Sequence, residues 1–181
     1  MHEKHYHAGV ERLRSPERLA RLEVQRVVAL TLDGLSGVKT LLDIGTGSGV
    51  FAEAFSATGL TVTGVDANPE MISVASNFVP GAIFKEAVAE KLPFKDGQFD
   101  LAFMGVVLHE TDDPLTALQE ARRVTTLRTA VLEWPDEDQA DGPPLSQRLP
   151  AEKITALALQ AGFKRVQSFR LDTLILFLLD N

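Results

Sequence analysis

The stretch that decides the fold is Leu41-Leu42-Asp43-Ile44-Gly45-Thr46-Gly47-Ser48-Gly49. An apolar run ends in an acidic residue, three glycines alternate, and a helix-like pattern follows over residues 50–55. This order predicts a buried strand, a glycine-rich turn and a helix N-terminus, which together form the usual receptor for a ligand that carries a nucleoside. Glycine suits such a turn because it accepts positive φ and lets a ligand approach bare backbone. A tight turn without a ligand is the alternative.

Strand and helix signals alternate along the rest of the chain. Apolar and β-branched runs predict strands over residues 40–44, 60–65, 82–87, 99–107, 128–134, 163–169 and 173–179. Helical spacing predicts helices over residues 15–32, 50–57, 69–77, 114–124 and 150–161. The alternation implies an α/β fold, Rossmann-like and doubly wound, around a mostly parallel seven-stranded sheet. The short connection between the last two strands implies a C-terminal antiparallel hairpin.

Length and composition set the class of protein. The 181 residues predict a flexible N-terminal segment over residues 1–14 and a single domain over residues 15–181. A net charge of −7 argues against a general nucleic-acid or anionic-membrane surface. No stretch reaches the ~18 consecutive apolar residues of a membrane span, and the absence of cysteine removes disulfides and thiolate metal sites. We therefore expect a cytoplasmic protein that binds neither nucleic acid nor membrane.

The spacing of the glycines separates two kinds of nucleoside ligand. The dinucleotide pattern G-x-G-x-x-G would need its third glycine at Val50, whereas the glycines here fall at positions 45, 47 and 49. The carboxylate of Asp43 beside the turn would repel a pyrophosphate and attract an ammonium or sulfonium group. A cationic nucleoside is thus favoured over NAD. An NAD-dependent oxidoreductase is further disfavoured because Tyr6 is the only tyrosine, which leaves no Tyr-x-x-x-Lys pair.

A second acidic residue follows the second predicted strand. Asp66 stands at the carboxyl end of residues 60–65, where an acid in doubly wound nucleotide sites accepts hydrogen bonds from the ribose hydroxyls. The alternative role is a helix cap for residues 69–77. Asn68 already occupies the capping position, so we expect Asp66 to bind the ribose.

Several segments resemble the class I S-adenosylmethionine-dependent methyltransferases, and in particular the branch similar to ubiquinone/menaquinone-biosynthesis methyltransferases. They are residues 41–49, Val65-Asp66-Ala67-Asn68, residues 89–100 (AEKLPFKDGQFD), residues 107–114 (VLHETDDP), residues 117–124 (ALQEARRV) and residues 142–149 (GPPLSQRL). The resemblance covers about residues 15–181. Its first motif is strong for the superfamily, and nothing in it is specific for a substrate.

The resemblance implies that S-adenosylmethionine is the cofactor. The implied binding residues are Asp43, Gly45, Thr46, Gly47, Gly49, Asp66, Ala67, Val88, Ala89, Met104 and Gly105. In the family pattern the glycines pass under the methionine portion, Asp43 orients its ammonium group, and Asp66 holds the ribose. Ala67, Val88 and Ala89 would lie against the adenine, and Met104 and Gly105 beside the transferred methyl.

The sequence departs from the family pattern at three places. Val88 stands where the family often has an aspartate that binds the adenine amine, a role that Glu86 or Glu90 would then take. The turn at residues 125–128 is about two residues shorter than the usual Leu-Lys-Pro-Gly-Gly. No lid is inserted between the strands, so the N-terminal segment and the loop at residues 135–150 must cover the substrate.

Catalysis needs few protein groups, because the sulfonium is already an activated methyl donor. The candidate general base is His109, with Glu110 beside it, and the alternative is a loop histidine that only bonds backbone. Arg148 is either a clamp for an acidic substrate or a solvated side chain, and Trp134 is either a pocket wall or core. The histidines at positions 2, 5 and 7 are expected to bind no metal, although Tyr6 or His7 is a candidate to close over the cofactor.

The function expected from the sequence is S-adenosylmethionine-dependent methyl transfer to a small-molecule acceptor. The alternative is a non-catalytic S-adenosylmethionine-binding sensor or partner subunit, which the missing lid and Val88 favour. The acceptor and the oligomeric state cannot be read from the sequence.

Overall fold

The computed structural model describes residues 10–181. Its seven strands are β1 (Thr40–Ile44), β2 (Thr61–Asp66), β3 (Ile83–Glu86), β4 (Phe99–Gly105), β5 (Thr125–Glu133), β6 (Arg165–Arg170) and β7 (Ile175–Asp180). Its helices are α1 (Val10–Leu13), α2 (Pro16–Leu22), α3 (Val24–Leu32), α4 (Val50–Ser56), α5 (Pro69–Phe78), α6 (Pro114–Val124) and α7 (Ala151–Ala161). Single 3-10 turns lie at Leu108–Glu110 and Leu145–Gln147.

The strands form one sheet in the order β3-β2-β1-β4-β5-β7-β6. The first five strands of this order pair in parallel, and β7 runs antiparallel to both β5 and β6. The predicted fold class, with its C-terminal antiparallel hairpin, is confirmed. The strand order reverses between β1 and β4, and in open α/β sheets such a reversal opens a crevice at the carboxyl ends of the strands. The glycine-rich turn lies at this crevice.

The sheet is buried on both faces, which explains why its central strands read as continuous apolar runs. Alternate residues of a strand point to opposite faces. Leu42, Ala102 and Met104 belong to the cluster that includes buried residues of α6 and α7, whereas Leu41 and Phe103 belong to the one that includes buried residues of α3 and α4. The two layers of helices hold the sheet rigid, so its carboxyl edge can position side chains.

The single helix predicted over residues 15–32 is wrong, because the structure breaks it at Glu23. Ser15 caps α2 as predicted, since its hydroxyl accepts a hydrogen bond from Arg18 N at 3.3 Å. Glu23 then adopts a left-handed backbone with φ 44°, and α3 begins at the next residue. The Glu23 carboxylate accepts a hydrogen bond from the Asp172 N–H at 2.7 Å and pairs with Arg26. A contact 149 residues away therefore accompanies the break, and no local pattern encodes it.

Leu13 and Arg14 lie against the glycine-rich turn. Leu13 is buried, and the Arg14 guanidinium donates to Ser48 O at 2.8 Å and pairs with Glu53. The predicted domain boundary at residue 15 stays a prediction. No helix within residues 10–181 has both the length and the apolar character needed to cross a bilayer.

The other predicted elements lie within a few residues of the observed ones. The largest difference is at β5, which was expected from residue 128 and begins at Thr125, directly after α6 ends at Val124. The shortened turn noted in the sequence is thus no loop at all. Where β4 meets the start of β5, the pairing register shifts between Phe99 and Leu101.

Candidate cofactor and acceptor sites

Three backbone N–H groups of the glycine-rich turn donate hydrogen bonds within the protein. Gly45 N and Thr46 N both donate to Val65 O, at 2.8 and 2.9 Å, and Gly47 N donates to Asp66 Oδ2 at 2.9 Å. A pyrophosphate would need such donors for itself. These three N–H groups are already hydrogen-bonded within the protein, so the turn offers a ligand its surface rather than these donors. Like the glycine spacing, this disfavours a dinucleotide.

Gly45 and Gly47 lack a side chain for different reasons. A Cβ added at Gly45 (φ 70°) would lie 2.8 Å from Val107 Cβ, so a side chain there would collide with the residues after β4. A Cβ added at Gly47 (φ 53°) would meet no atom of residues 10–181 within 4 Å. Gly47 thus faces open space, and its missing side chain leaves room for a ligand above the turn.

Asp66 ties the turn to the start of α5. Its carboxylate accepts hydrogen bonds from Gly47 N and from Asn68 N, both at 2.9 Å. The capping role belongs to Asn68, whose side chain accepts from Glu70 N. The two backbone bonds orient the Asp66 carboxylate.

Asp43 is buried beneath the turn. Its Oδ2 accepts a hydrogen bond from the Thr46 hydroxyl at 2.7 Å. Burial raises the pKa of Asp43 from its ordinary value of 3.8 to about 7, against the lowering effect of the Thr46 hydrogen bond, and the negative charge of Asp66 raises it further. A cation bound nearby would lower this pKa again, because it would favour the ionised carboxylate.

A cavity of about 370 Å³ opens at the carboxyl ends of β1, β2 and β4. Seven of the predicted cofactor residues line it, namely Gly45, Gly47, Asp66, Ala67, Val88, Ala89 and Gly105. Asp43 and Thr46 line a small adjoining pocket of about 50 Å³ that shares Gly45, Gly47 and Gly105 with this cavity. Of the two acids considered in place of an aspartate at Val88, Glu90 lines the cavity, whereas Glu86 does not.

Gly49 and Met104 line neither space. Gly49 (φ 78°) is the N-cap of α4, and a Cβ there would touch Ala75 and Val79, so its place is set by helix packing. Met104 is fully buried in the core, because alternation along β4 points its side chain into the layer of α6 and α7. The neighbouring Gly105 reaches the cavity instead.

The residues present fit S-adenosylmethionine. The Asp66 carboxylate can accept from ribose hydroxyls, and the exposed side chain of Val88 together with Ala67 and Ala89 offers an apolar wall for a base. The open face of Gly47 leaves space for an aliphatic chain. The volume is within the ~300–1,000 Å³ of small-molecule sites. S-adenosylmethionine would supply a methyl group already activated on a sulfonium.

A second cavity, of about 480 Å³, adjoins the first. Arg12 of the N-terminal segment lines it, as do Ser15, Glu17 and Arg21 of the helices that follow. Residues 141–144 and 147 of the long loop form another part of its wall. Arg18, Val106 and Glu110 line both cavities. This shared wall is where a donor in one cavity would meet an acceptor in the other.

Val106 at the shared wall has an unusual backbone. Its φ of 61° lies in the left-handed region, which β-branched residues rarely adopt. Its N–H donates to Leu132 O at 2.7 Å, so pairing with β5 holds it there. Strained backbone of this kind concentrates at functional sites.

His109 lines the second cavity beside two carboxyl groups. Its Nδ1 lies 2.9 Å from Glu133 Oε2, and its Nε2 lies 3.8 Å from Glu110 Oε1. Burial raises the pKa of Glu110 from 4.5 to about 7, while the charge of His109 lowers it and those of Glu133 and Asp66 raise it. The alternative of a histidine that only bonds backbone does not describe this ring, which faces a buried carboxylate. Its role as base stays a prediction.

Arg148 is neither a substrate clamp nor a solvated side chain. It is buried, and its guanidinium donates to the carbonyl oxygens of Pro135, Glu137, Asp141 and Pro143 at 2.6 to 3.2 Å. It also lies over the Trp134 ring, 5.3 Å from its centroid. Trp134 is buried yet lines the second cavity, so both of its predicted roles apply. Arg148 therefore organises the loop at residues 135–150.

Sequence reasoning missed Glu133, Arg18 and Val106. Glu133 lies next to the last residue of the strand predicted over residues 128–134, and the observed strand ends there, at the same edge as His109. Nothing local marks Arg18 or Val106, since their places depend on how α2 and β4 meet. Tyr6 and the histidines at positions 2, 5 and 7 lie outside the described residues. Within residues 10–181, no group of three His, Cys, Asp or Glu side chains is arranged to hold a metal.

Comparison with known proteins finds similarity to methyltransferases. Residues 42–128 match a family model described as a methyltransferase domain. A demethylmenaquinone methyltransferase of Chlorobaculum parvum is 35% identical over 85 residues, which cover 46% of this chain and 35% of that protein. A malonyl-[acyl-carrier protein] O-methyltransferase of Erwinia billingiae is 33% identical over 120 residues, which cover 66% of this chain and 43% of that protein. The chain thus spans less than half the length of these curated relatives.

A solved structure supports the same fold. The S-adenosylmethionine-dependent methyltransferase from Aquifex aeolicus superposes with a TM-score of 0.83 at 24% identity, and the match covers 94% of this chain and 96% of that one. Identity at this level speaks for the fold alone. The match over residues 42–128 identifies a methyltransferase domain in this chain, and its relatives include demethylmenaquinone methyltransferases.

Proposed function

We propose that this chain transfers a methyl group from S-adenosylmethionine, held in the cavity of about 370 Å³, to a small-molecule acceptor held in the cavity of about 480 Å³. The observation that carries the proposal is the shared wall of Arg18, Val106 and Glu110, where the two cavities meet. Transfer requires a donor and an acceptor that approach each other in a site from which water is excluded. Two adjoining cavities of molecular size allow the donor and the acceptor to approach each other.

The proposed roles follow from what each side chain contacts. Asp66, oriented by two backbone N–H groups, binds the ribose, and Ala67, Val88 and Ala89 lie against the base. Asp43 acts through charge from beneath the turn. The two relatives named above act on demethylmenaquinone and on malonyl-[acyl-carrier protein], which differ so much that neither acceptor is carried over to this chain.

Binding is the first test. Calorimetry with S-adenosylhomocysteine and, separately, with NAD should give saturable heat for the first ligand alone. Failure of S-adenosylhomocysteine and S-adenosylmethionine to bind at millimolar concentration would contradict the proposal.

Transfer is tested with S-adenosylmethionine carrying a labelled methyl group and a small-molecule cell extract. The variant Gln147→Trp places an indole in the acceptor cavity, and Ser146→Trp is its matched control, since position 146 is exposed and does not line that cavity. We expect Gln147→Trp to lose transfer with unchanged S-adenosylhomocysteine affinity, and Ser146→Trp to keep both. Saturable binding with no transfer by the unaltered protein would support the sensor or partner-subunit alternative instead.

A further inference from the structure

One arginine reaches both spaces in which the cofactor is expected to lie. Arg18, on α2, is half-buried and lines the cofactor cavity of about 370 Å³ as well as the small adjoining pocket of about 50 Å³. Within residues 10–181, no other lysine, arginine or histidine lines either space. Arg18 therefore supplies the positive charge of the cofactor site, and it also lines the acceptor cavity of about 480 Å³.

The other charged side chains that line these two spaces are acids. The cofactor cavity is lined by Asp66, Glu90, Glu110 and Asp112, and the small pocket by Asp43. S-adenosylmethionine carries a sulfonium, an ammonium and a carboxylate. The acids suit the two cationic groups, whereas they would repel the carboxylate unless a cation lies beside it. The site therefore needs a positive side chain where the carboxylate binds.

Other donors around the glycine-rich turn are already engaged. Three N–H groups of the turn donate within the protein, and Gly49 N donates to Thr46 O at 2.9 Å. Arg14 also lies against the turn, but its guanidinium donates to Ser48 O at 2.8 Å and pairs with Glu53, and it lines neither space. Among these groups, the guanidinium on α2 is thus the one placed to receive an anion from the cofactor.

We propose that Arg18 binds the carboxylate of the methionine portion of S-adenosylmethionine, so that α2 takes part in holding the cofactor. This inference rests on the function proposed above and adds a binding residue to it. A guanidinium presents several N–H donors in a fixed fork, and it can bind a carboxylate through two parallel hydrogen bonds. Its other donors serve the contacts that Arg18 makes within the protein.

The helix that carries Arg18 is short and belongs to both sites. It has seven residues between the Ser15 cap and the break at Glu23, and a helix of this length has little stability of its own. Glu17 and Arg21 of the same helix line the acceptor cavity. A hydrogen bond from Arg18 to the cofactor should therefore steady a wall of the acceptor cavity as well.

Calorimetry with two ligands tests the assignment. One ligand is S-adenosylhomocysteine, and the other is its analogue in which a hydrogen replaces the carboxylate. We expect Arg18→Met to weaken S-adenosylhomocysteine binding about 10- to 100-fold, the usual effect of losing hydrogen bonds between charged groups, and to change the affinity for the analogue little. Arg18→Lys keeps the charge and should retain part of the affinity for S-adenosylhomocysteine.

The matched control is Arg12→Met, because Arg12 lines the acceptor cavity but neither cofactor space. It should leave the affinity for S-adenosylhomocysteine unchanged. An equal loss of affinity for both ligands, or no loss for either, in a folded Arg18→Met variant would overturn the assignment and keep the proposed function. Failure of the unaltered protein to bind either ligand at millimolar concentration would overturn both.

Amide hydrogen exchange of the unaltered protein is a second measurement, and it needs no variant. At saturation, S-adenosylhomocysteine should slow exchange within residues 16–22, and the analogue without the carboxylate should slow it less. Equal protection of these residues by the two ligands would overturn the assignment, whether or not Arg18→Met folds.

Discussion

Single residues at the carboxyl edge of the sheet are held by backbone before any ligand arrives. Asp66 accepts from Gly47 N and Asn68 N, and Glu133 accepts from His109 N and Trp134 N. Each carboxylate is therefore oriented at no further entropic cost when a ligand binds. Such preorganisation is what distinguishes a binding group from a flexible surface acid.

At this scale we expect Asp66→Ala to weaken S-adenosylhomocysteine binding by ~1.5–3 kcal/mol, the usual value for hydrogen bonds to a charged group. Calorimetry measures the affinity. Glu86→Ala is the matched control, because it removes the same charge from the end of the neighbouring strand at a position outside the cavity. Equal affinity of Asp66→Ala and the unaltered protein, with both folded, would remove Asp66 from the site.

The sequence allowed some of these residues to be predicted and concealed others. Seven of the eleven predicted cofactor residues line the cavity, because they follow strands whose ends the apolar runs mark. The buried Met104 could not be distinguished from the cavity-lining Gly105, because the sequence does not show which side chains of β4 point to which face. Glu133 was missed since its partner lies 24 residues away, and a distant hydrogen bond leaves no periodic trace.

Among the elements, the loop at residues 135–150 depends on one guanidinium. Arg148 donates to four carbonyl oxygens of that loop, and Gly142 (φ 96°) lies so close to Trp134 that an added Cβ would stand 2.8 Å from the ring. The loop is thus a shaped wall rather than a loose connection. The sequence marked it only by its length and its lack of periodicity.

Arg148→Met should therefore loosen this wall. We expect the free energy of unfolding to fall by roughly 1.5–3 kcal/mol, as for lost hydrogen bonds from a charged group, and amide hydrogen exchange to quicken within residues 135–148. Urea denaturation and exchange mass spectrometry measure the two effects. Arg165→Met, at an exposed position on β6, is the control. A stable loop in Arg148→Met would show that the four bonds are dispensable.

For the whole molecule, buried carboxyl groups make stability depend on pH. The native state keeps the proton of Asp43 up to about pH 7, whereas the unfolded chain releases it near 3.8. Between these pH values the native state binds more protons than the unfolded state. The contribution of Asp43 to the free energy of unfolding therefore falls as pH rises. Asp100 affects the pH dependence in the opposite direction. Hydrogen bonds from Lys39 N and Thr40 N lower its pKa, so its contribution to the free energy of unfolding rises with pH.

Asp43→Asn should consequently gain stability relative to the unaltered protein as pH rises from about 4 to 8. The full effect is on the order of 4 kcal/mol at most, the equivalent of three pKa units. Asp100→Asn should lose stability at neutral pH, and this loss should shrink in acid. Urea denaturation across this pH range measures both. If the free energy of unfolding of Asp43→Asn differed from that of the unaltered protein by an amount independent of pH, Asp43 could not be a buried acid that is neutral in the native state.

The architecture was more predictable than the site. Alternating strand and helix signals led to the seven-stranded sheet, because each local pattern agrees with the global fold. The break at Glu23 and the early start of β5 at Thr125 were not predictable, since both depend on tertiary contacts that override local propensity. The joined cavities also arise only when α2, β4 and the long loop come together.

The position of β7 between β5 and β6 has a consequence for synthesis on the ribosome. The five parallel strands can pair as they emerge, but β6 has no neighbour in the sheet until β7 has been made. One flank of β5 therefore stays uncovered for that interval, and an unpaired strand edge invites pairing with other chains. A nascent chain of this protein is most in need of a chaperone just before its residues 175–180 leave the exit tunnel.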